Sequence, residues 1–436
     1  MMTIVKENAY LVVKNRNKMK RATLFLALAA VVACRQAVVP ETPGDLPEGI
    51  SVEVQTDWLY SRGERISLLA RLQSDRDTTV RLDLTLVPDT CLMTTKAPCY
   101  GSSHKVRLRK GEKQVKIRIP GQEPGFYQVN LTGAKPFNIG VDPERIPCEQ
   151  NKPSDFDAFW EETLQELATV PMEPVLTPLE EASGHARKLY RVEMKSFGGA
   201  LMGGYLAVPV AEGKFPARID FMGYGAEPYL YGADDNPNLI QFLVSVRGQG
   251  IFKEPEGRWI DRGLDGKENF YYRGAYCDAV RAVDFIASLD RTDPDRIFAC
   301  GDSQAGALTW ISASLNHKLR AVAPSVPFMS DFPDYWKIVW WPVWEVFETA
   351  DAEGISRDDL FMLLSYFDVK NFTDRITCPV RMAFGLQDPT CPPHTNFSGY
   401  NQVRSEKSWF CVPTCGHDMW READWDRERD TFFAGF

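Results

Sequence analysis

Arg296-Ile-Phe-Ala-Cys300-Gly301-Asp302-Ser303-Gln304-Ala305-Gly306-Ala307-Leu-Thr-Trp-Ile311 decides how the chain folds. Residues 296–300 read as a buried strand, and residues 307–311 are apolar and helix-compatible. Between them stands a serine with small residues, Gly301 and Ala305, two positions to either side. A serine on such a strand–turn–helix is held exposed at the top of a sheet, where its hydroxyl waits for a base. The backbone N–H of Gln304, the next residue, points to where an oxyanion would develop. With Ala305 in place of a second glycine, the motif leaves open a plain serine in an ordinary strand-to-helix turn.

A serine nucleophile needs a histidine to take its proton and an acid to fix that histidine's tautomer. In strand–turn–helix enzymes of this type the acid and then the histidine follow the serine along the chain. Asp388, in Gly385-Leu-Gln-Asp388-Pro, follows the strand-like Val380-Arg-Met-Ala-Phe384. His417, in Cys415-Gly-His417-Asp, follows the strand-like Trp409-Phe-Cys-Val412. Ser303, Asp388 and His417 therefore sit just past three strands and can meet at one sheet edge. The chain has five histidines. His104 falls in a strand-rich region, His185 ahead of the sheet, and His317 past the helix after the serine. His394, in Cys391-Pro-Pro-His394, competes with His417 but reads better as a helix-entry residue. Cys411, Cys415 and His417 have a faint metal-site spacing without a fourth ligand nearby, so no metal and no cofactor are expected.

Outward from this centre, residues 219–221 and 242–246 are further apolar runs ending in glycine-rich loops, and 275–289 has helical period. Ser154-Asp-Phe-Asp157 reads as a capping box, opening a helix with Phe156, Phe159, Trp160, Leu164 and Leu167 as its stripe. Strand–helix alternation over residues 146–436 predicts a mostly parallel sheet with helices on both faces. Residues 49–145 alternate apolar and polar instead, as in Ile66-Ser-Leu-Leu-Ala-Arg-Leu72 and Val80-Arg-Leu-Asp-Leu-Thr-Leu86. About seven short strands predict a small all-β sandwich of immunoglobulin-like type, as a spacer or a carbohydrate-binding module. Residues 35–48 read as a linker. In residues 1–34, the basic Lys18-Met-Lys-Arg21 precedes the apolar run 23–33 and then Cys34. That run is too short to span a bilayer and has the pattern of a lipoprotein signal, with Cys34 as the lipid-bearing residue and Met19 as an alternative start. The expectation is an exported bacterial lipoprotein, membrane-anchored in the periplasm or at the cell surface. In that oxidising space Cys91 and Cys99 are close enough in sequence to pair. A formal charge of −9 argues against a nucleic-acid partner.

Several stretches carry a resemblance. Asp155-Phe-Asp-Ala-Phe-Trp-Glu-Glu-Thr-Leu-Gln-Glu-Leu167, Arg247-Gly-Gln-Gly250, Gly301-Asp-Ser-Gln-Ala305, Val326-Pro-Phe-Met-Ser-Asp-Phe332, Leu364-Ser-Tyr-Phe-Asp368 and Gly385-Leu-Gln-Asp-Pro-Thr-Cys-Pro-Pro-His-Thr-Asn-Phe-Ser-Gly-Tyr-Asn401 lie within residues 148 to about 420. This region resembles the acetyl xylan esterase and cephalosporin C deacetylase family, carbohydrate esterase family 7, with an α/β-hydrolase fold. The resemblance implies Ser303 as nucleophile, His417 as base and Asp388 as orienting acid. It implies an oxyanion hole from the backbone N–H groups of Gln304 and of Tyr224, in Met222-Gly-Tyr-Gly225, and a supporting role for Arg247 and Gln249. Three residues depart from the family pattern: Ala305, Asp302 beside the nucleophile, and Asp418 where the family has glutamate. Members form ring-like hexamers, so a homo-oligomer is an expectation.

The reaction so implied is removal of acetyl groups from acetylated, xylan-type oligosaccharides through an acyl-enzyme, with activity falling below about pH 6 as His417 takes a proton. The alternatives are a serine esterase for other small acyl esters or a catalytically silent sugar-binding surface lipoprotein. Tyr335-Trp-Lys-Ile-Val-Trp-Trp-Pro-Val-Trp-Glu-Val-Phe347 carries four tryptophans, which serve equally as a sugar-stacking lid or as packing.

Overall fold

The computed structural model describes residues 43–436, Glu256 aside. The signal segment, Cys34 and the first part of the linker lie outside the described residues. The rest of the linker is not a free tether. Gly44 O accepts from Gly133 N–H at 3.1 Å, and Leu46 packs on the sandwich core.

Eight strands build the first region: β1 (Ile50–Gln55), β2 (Leu59–Tyr60), β3 (Ile66–Ser74), β4 (Thr78–Pro88), β5 (Tyr100–Leu108), β6 (Gly111–Ile119), β7 (Gly125–Leu131) and β8 (Phe137–Val141). They form a three-stranded sheet, β1-β3-β6, and a five-stranded sheet, β2-β8-β7-β4-β5. The period-two pattern explains the pairing. Ile66, Leu68, Ala70 and Leu72 of β3 are buried against Leu82, Leu84 and Leu86 of β4, while the residues between them point to the opposite faces, where most are partly or fully exposed and Thr85 is buried. The eighth strand is the two-residue β2, too short to show as alternation.

Nine strands follow: β9 (Val175–Pro178), β10 (Arg187–Lys195), β11 (Leu201–Pro209), β12 (Phe215–Phe221), β13 (Ile240–Ser245), β14 (Thr292–Asp302), β15 (Ala321–Ser325), β16 (Val380–Gly385) and β17 (Lys407–Val412). The helices are α1 (Phe156–Thr169), α2 (Tyr271–Ser288), α3 (Gln304–Leu315), α4 (Phe332–Ile338), α5 (Val343–Ala352), α6 (Arg357–Ser365), α7 (Pro393–Gln402) and α8 (Ala423–Ala434). The sheet order is β17-β16-β15-β14-β12-β13-β11-β10-β9. The six strands from β17 to β13 run parallel, and β11, β10 and β9 add an antiparallel edge. Every residue of β13 and β15 is buried, as expected of strands covered on both faces.

Three sequence expectations need correction. α1 starts at Phe156 and has no side-chain cap, because Asp155 instead binds the Lys267 ammonium at 2.5 Å and the Tyr366 hydroxyl. His185 lies between β9 and β10, within the antiparallel edge of the sheet and not ahead of it. Cys91 and Cys99 are both free thiols, and Cys99 Sγ donates to Leu86 O at 3.3 Å.

Sandwich and sheet pack closely. Phe126 of β7 joins the core of the large sheet through Phe384 and Phe397. Gln387 Oε1 accepts from Asn138 N–H at 2.7 Å, and Gln387 Nε2 donates back to Asn138 O at 3.1 Å.

Candidate active site

The chain leaves β12 for β13 on one side and then crosses to β14 on the other. The crevice beyond the carboxyl ends of β12 and β14 is thus a topological switch point, where open parallel sheets bind ligands. Ser303 stands there, between β14 and α3, at φ 63° and ψ −122°. A non-glycine residue in that region costs about 1–3 kcal/mol, and the packing around the turn holds it there. A Cβ on Gly301 would lie 2.4 Å from the Ala305 Cβ, so the alanine makes glycine obligatory at 301. α3 is buried on all sides from Gln304 to Ser314, which fixes the turn that feeds it.

Asp388 and His417 meet as their spacing implied. His417 Nδ1 lies 2.9 Å from Asp388 Oδ2, and Asp388 Oδ1 accepts from the backbone N–H groups of Thr390 (2.7 Å) and Cys391 (2.9 Å). The carboxylate is buried and has one remaining direction to act, toward the imidazole. The two loops come this close because Gly385 has no side chain: a Cβ there would be 2.1 Å from Gly416 O. Burial alone would lower the His417 pKa. The hydrogen bond and charge of Asp388, with Asp302 and Asp418 adding, raise it above the ordinary imidazole value.

Cys391 links the two halves. Its Sγ is 3.9 Å from Ser303 Oγ and within 4.8 Å of ligand-type atoms on Asp388 and His417. Ser303 Oγ and the His417 ring therefore converge around one sulfur. Among the described residues no hydrogen bond joins them directly. Such contacts tighten when a substrate enters.

On the other side of Ser303, the Tyr224 loop follows β12. Gln304 Nε2 reaches Met222 O at 3.4 Å, and Gln249 Oε1 accepts from Gly225 N–H at 3.0 Å. The backbone N–H groups of Tyr224 and Gln304 have no protein acceptor among the described residues. The Gln304 N–H also lies at the positive end of α3. Gln249 and Gln304 form a reciprocal amide pair, with bonds of 3.1 and 3.0 Å, and Tyr271 and Tyr272 hydroxyls bond to its ends. Arg247 is held through two nitrogens to Asp278 at 2.9 and 2.6 Å, and its carbonyl accepts from Tyr271 at 2.6 Å. Arg247 and Gln249 thus brace the loops and do not reach Ser303.

The tryptophans divide. Trp336 packs on the core. Trp340, Trp341 and Trp344 are 55%, 43% and 40% exposed. Trp341 meets the Tyr224 ring edge-on with centroids 6.4 Å apart, so the segment forms a wall beside the candidate oxyanion loop. His394 is a charged structural residue: Nδ1 lies 3.1 Å from Asp89 and Nε2 3.5 Å from Asp334. His317 is exposed, and His104 pairs with Ser102 on β5.

Two groups have metal-ligand proximity, Asp388–Cys391–His417 and Asp331–Asp334–His394. In the first, the atoms already engage one another: His417 Nδ1 is bonded to Asp388 Oδ2, and Asp388 Oδ1 takes two backbone N–H groups. In the second, the Lys370 ammonium 2.7 Å from Asp331 already supplies the cation.

Sequence reading missed Cys391, Asp278, Tyr271 and Tyr272. Asp278 was discoverable as a carboxylate within the apolar run of a predicted helix. Cys391 gave no signal, because its place depends on how the Asp388 loop folds back.

A family model described as acetyl xylan esterase (AXE1) matches residues 145–433. The chain belongs to the acetyl xylan esterase family. It is a carboxylic ester hydrolase with the α/β-hydrolase fold. Acetyl esterase Axe7A of Xylanibacter ruminicola is 27% identical over 391 residues, covering 84% of this chain and 86% of that protein. Acetyl xylan esterase 1 from Thermoanaerobacterium sp. JW/SL YS485 superposes with a TM-score of 0.62 at 27% identity, covering 67% of this chain and 96% of the other. Acetyl xylan esterase from Paenibacillus sp. R4 gives 0.62 at 25% identity, with 67% and 98% covered. The Axe7A match is too long for this esterase's α/β region alone and extends into the sandwich.

Proposed function

We propose that this esterase removes acetyl groups from acetylated, xylan-type oligosaccharides by acyl transfer through Ser303. Ser303 Oγ attacks the acetyl carbonyl carbon while His417 takes its proton. The carbonyl oxygen becomes an oxyanion received by the Tyr224 and Gln304 N–H groups. The C–O bond to the sugar then breaks, and His417 returns the proton to the departing alkoxide. Water repeats the sequence on the acetyl-serine, releasing acetate. Asp388 holds His417 with Nδ1 protonated and stabilises the imidazolium. The observation that carries the reading is the His417–Asp388 bond of 2.9 Å beside a strained serine at the switch point. The names of the relatives support acetate as the acyl group. Cys34 is proposed as a lipid anchor that keeps the exported enzyme at a membrane.

The test is acetate release from acetylated xylo-oligosaccharides by the parent and by Ser303→Ala. Release by the parent alone is expected, with a loss on the order of 10⁵–10⁶ in kcat for the variant. Equal release by both would overturn Ser303 as nucleophile. Cleavage of p-nitrophenyl acetate without release from the sugar would overturn the substrate.

A further inference from the structure

A cavity of about 340 Å³ lies between the sandwich and the esterase domain, at the small end of the range for small-molecule sites. Ser303, His417, Tyr224 and Gln304 do not line it. Its walls come from both regions: Asp89, Met93, Gln128 and Asn138 from the sandwich side, Trp340 and Asp388 from the esterase side.

The lining chemistry is specific. Trp340 stacks on Trp344 with centroids 4.2 Å apart, yet the residue is still 55% exposed and borders the cavity. A flat, exposed indole is a platform for the apolar face of a ring. The Gln128 side-chain amide and Asn138 Oδ1 have no protein hydrogen-bond partner among the described residues. The amide both donates and accepts, and so do hydroxyl groups. The ionic groups at the rim are already matched, Asp89 by His394 and Asp388 by His417. A neutral ring bearing several hydroxyls fits this set. An anionic ligand would meet two carboxylates and no free cation among the named lining residues.

The cavity shares its walls with elements that hold the site. Trp340 adjoins Trp341, which touches Tyr224, and Asp388 borders the cavity while binding His417. We infer that this interdomain cavity is a sugar-binding subsite that takes an unesterified unit of the oligosaccharide whose acetyl group meets Ser303. This gives the sandwich a part in substrate binding and rests on the sugar-ester substrate proposed above.

Binding without turnover tests it. The full chain carrying Ser303→Ala is titrated calorimetrically with unacetylated xylotetraose. Saturable binding is expected. Adding Trp340→Ala should weaken it by about tenfold, as loss of an aromatic anchor does, and Gln128→Ala by about threefold, as loss of one hydrogen bond does. If Trp340→Ala fails to fold, Gln128→Trp fills the cavity from the sandwich side and should abolish binding with the thermal midpoint kept. No binding by the Ser303→Ala chain, or binding that ignores these substitutions, overturns the subsite. Acetate release by the parent is read separately. Release without xylotetraose binding sinks the subsite alone, and binding without release sinks the substrate while the subsite stands.

Discussion

Two histidine–aspartate pairs stand close to one another in this esterase, His417 with Asp388 and His394 with Asp89. In each, Nδ1 faces the carboxylate at hydrogen-bonding distance, 2.9 Å and 3.1 Å. They differ at Nε2. His394 meets a second carboxylate, Asp334, and its side chain is 8% exposed. Burial opposes its charge, but Asp89 and Asp334 outweigh burial and push its pKa well above the usual imidazole value. His417 has a single carboxylate, is 29% exposed, and lies beside Cys391 and Ser303. A carboxylate at both nitrogens favours the cation, which ties two regions together. A carboxylate at one leaves the other free to accept a proton.

The comparison can be broken in several ways. Asp388→Asn should lose on the order of 10⁴ in kcat with the fold intact, because an amide no longer selects the tautomer with Nδ1 protonated. A loss below tenfold, measured on p-nitrophenyl acetate, would show that His417 needs no orienting acid. Gln249→Leu removes the bond to Gly225 and half of the Gln249–Gln304 pair. Its expected cost is about 10²-fold in kcat with little change in KM, as for a small misplacement of a reacting group. A pure KM effect would mean that Gln249 acts on binding.

The pH profile sharpens the difference further. A base must be neutral, so activity is lost as pH falls through the His417 pKa. That pKa is raised, so the midpoint of the acid limb of kcat/KM should lie above the ordinary imidazole value of about 6.5, and so above the limb near pH 6 expected from sequence. Asp302→Asn should move the limb downward by a fraction of a unit, since the Asp302 carboxylate contributes to the rise. An unmoved limb would remove Asp302 from the electrostatics of the base.

Much of this was legible in sequence where one local rule governs. The sandwich shows in the alternation of β3 and β4, because one face of each strand is wet. The Ser303 turn shows because its neighbours must be small. The order of Ser303, Asp388 and His417 shows because each follows a buried strand. The false capping box at Ser154 shows the limit: Asp155 is drawn away by Lys267 and Tyr366, more than a hundred residues distant. The antiparallel edge was not read from the sequence: β11 is as apolar as the parallel strands, and the signal in β10, an alternation with five charged residues in nine, passed unused. The partners of Arg247 and Gln249, the Cys391 contact and the interdomain cavity arise only from tertiary packing.

The most direct measurement is kcat/KM and thermal midpoint for His417→Ala and His394→Gln side by side, at pH 6 and pH 9. His417→Ala should lose on the order of 10⁴ or more in activity with its midpoint nearly unchanged. His394→Gln should keep measurable activity below its melting range and lose about 3–5 kcal/mol of stability at pH 6, where removing the cation leaves the buried Asp89 carboxylate uncompensated, Asp334 keeping Lys337. The His394 contribution is fully present below the unfolded value near 6.5 and declines as pH rises through the raised folded value, so the stability gap should narrow toward pH 9. An active His417→Ala protein, or a His394→Gln protein that is folded and inactive, would contradict the assignment of the base.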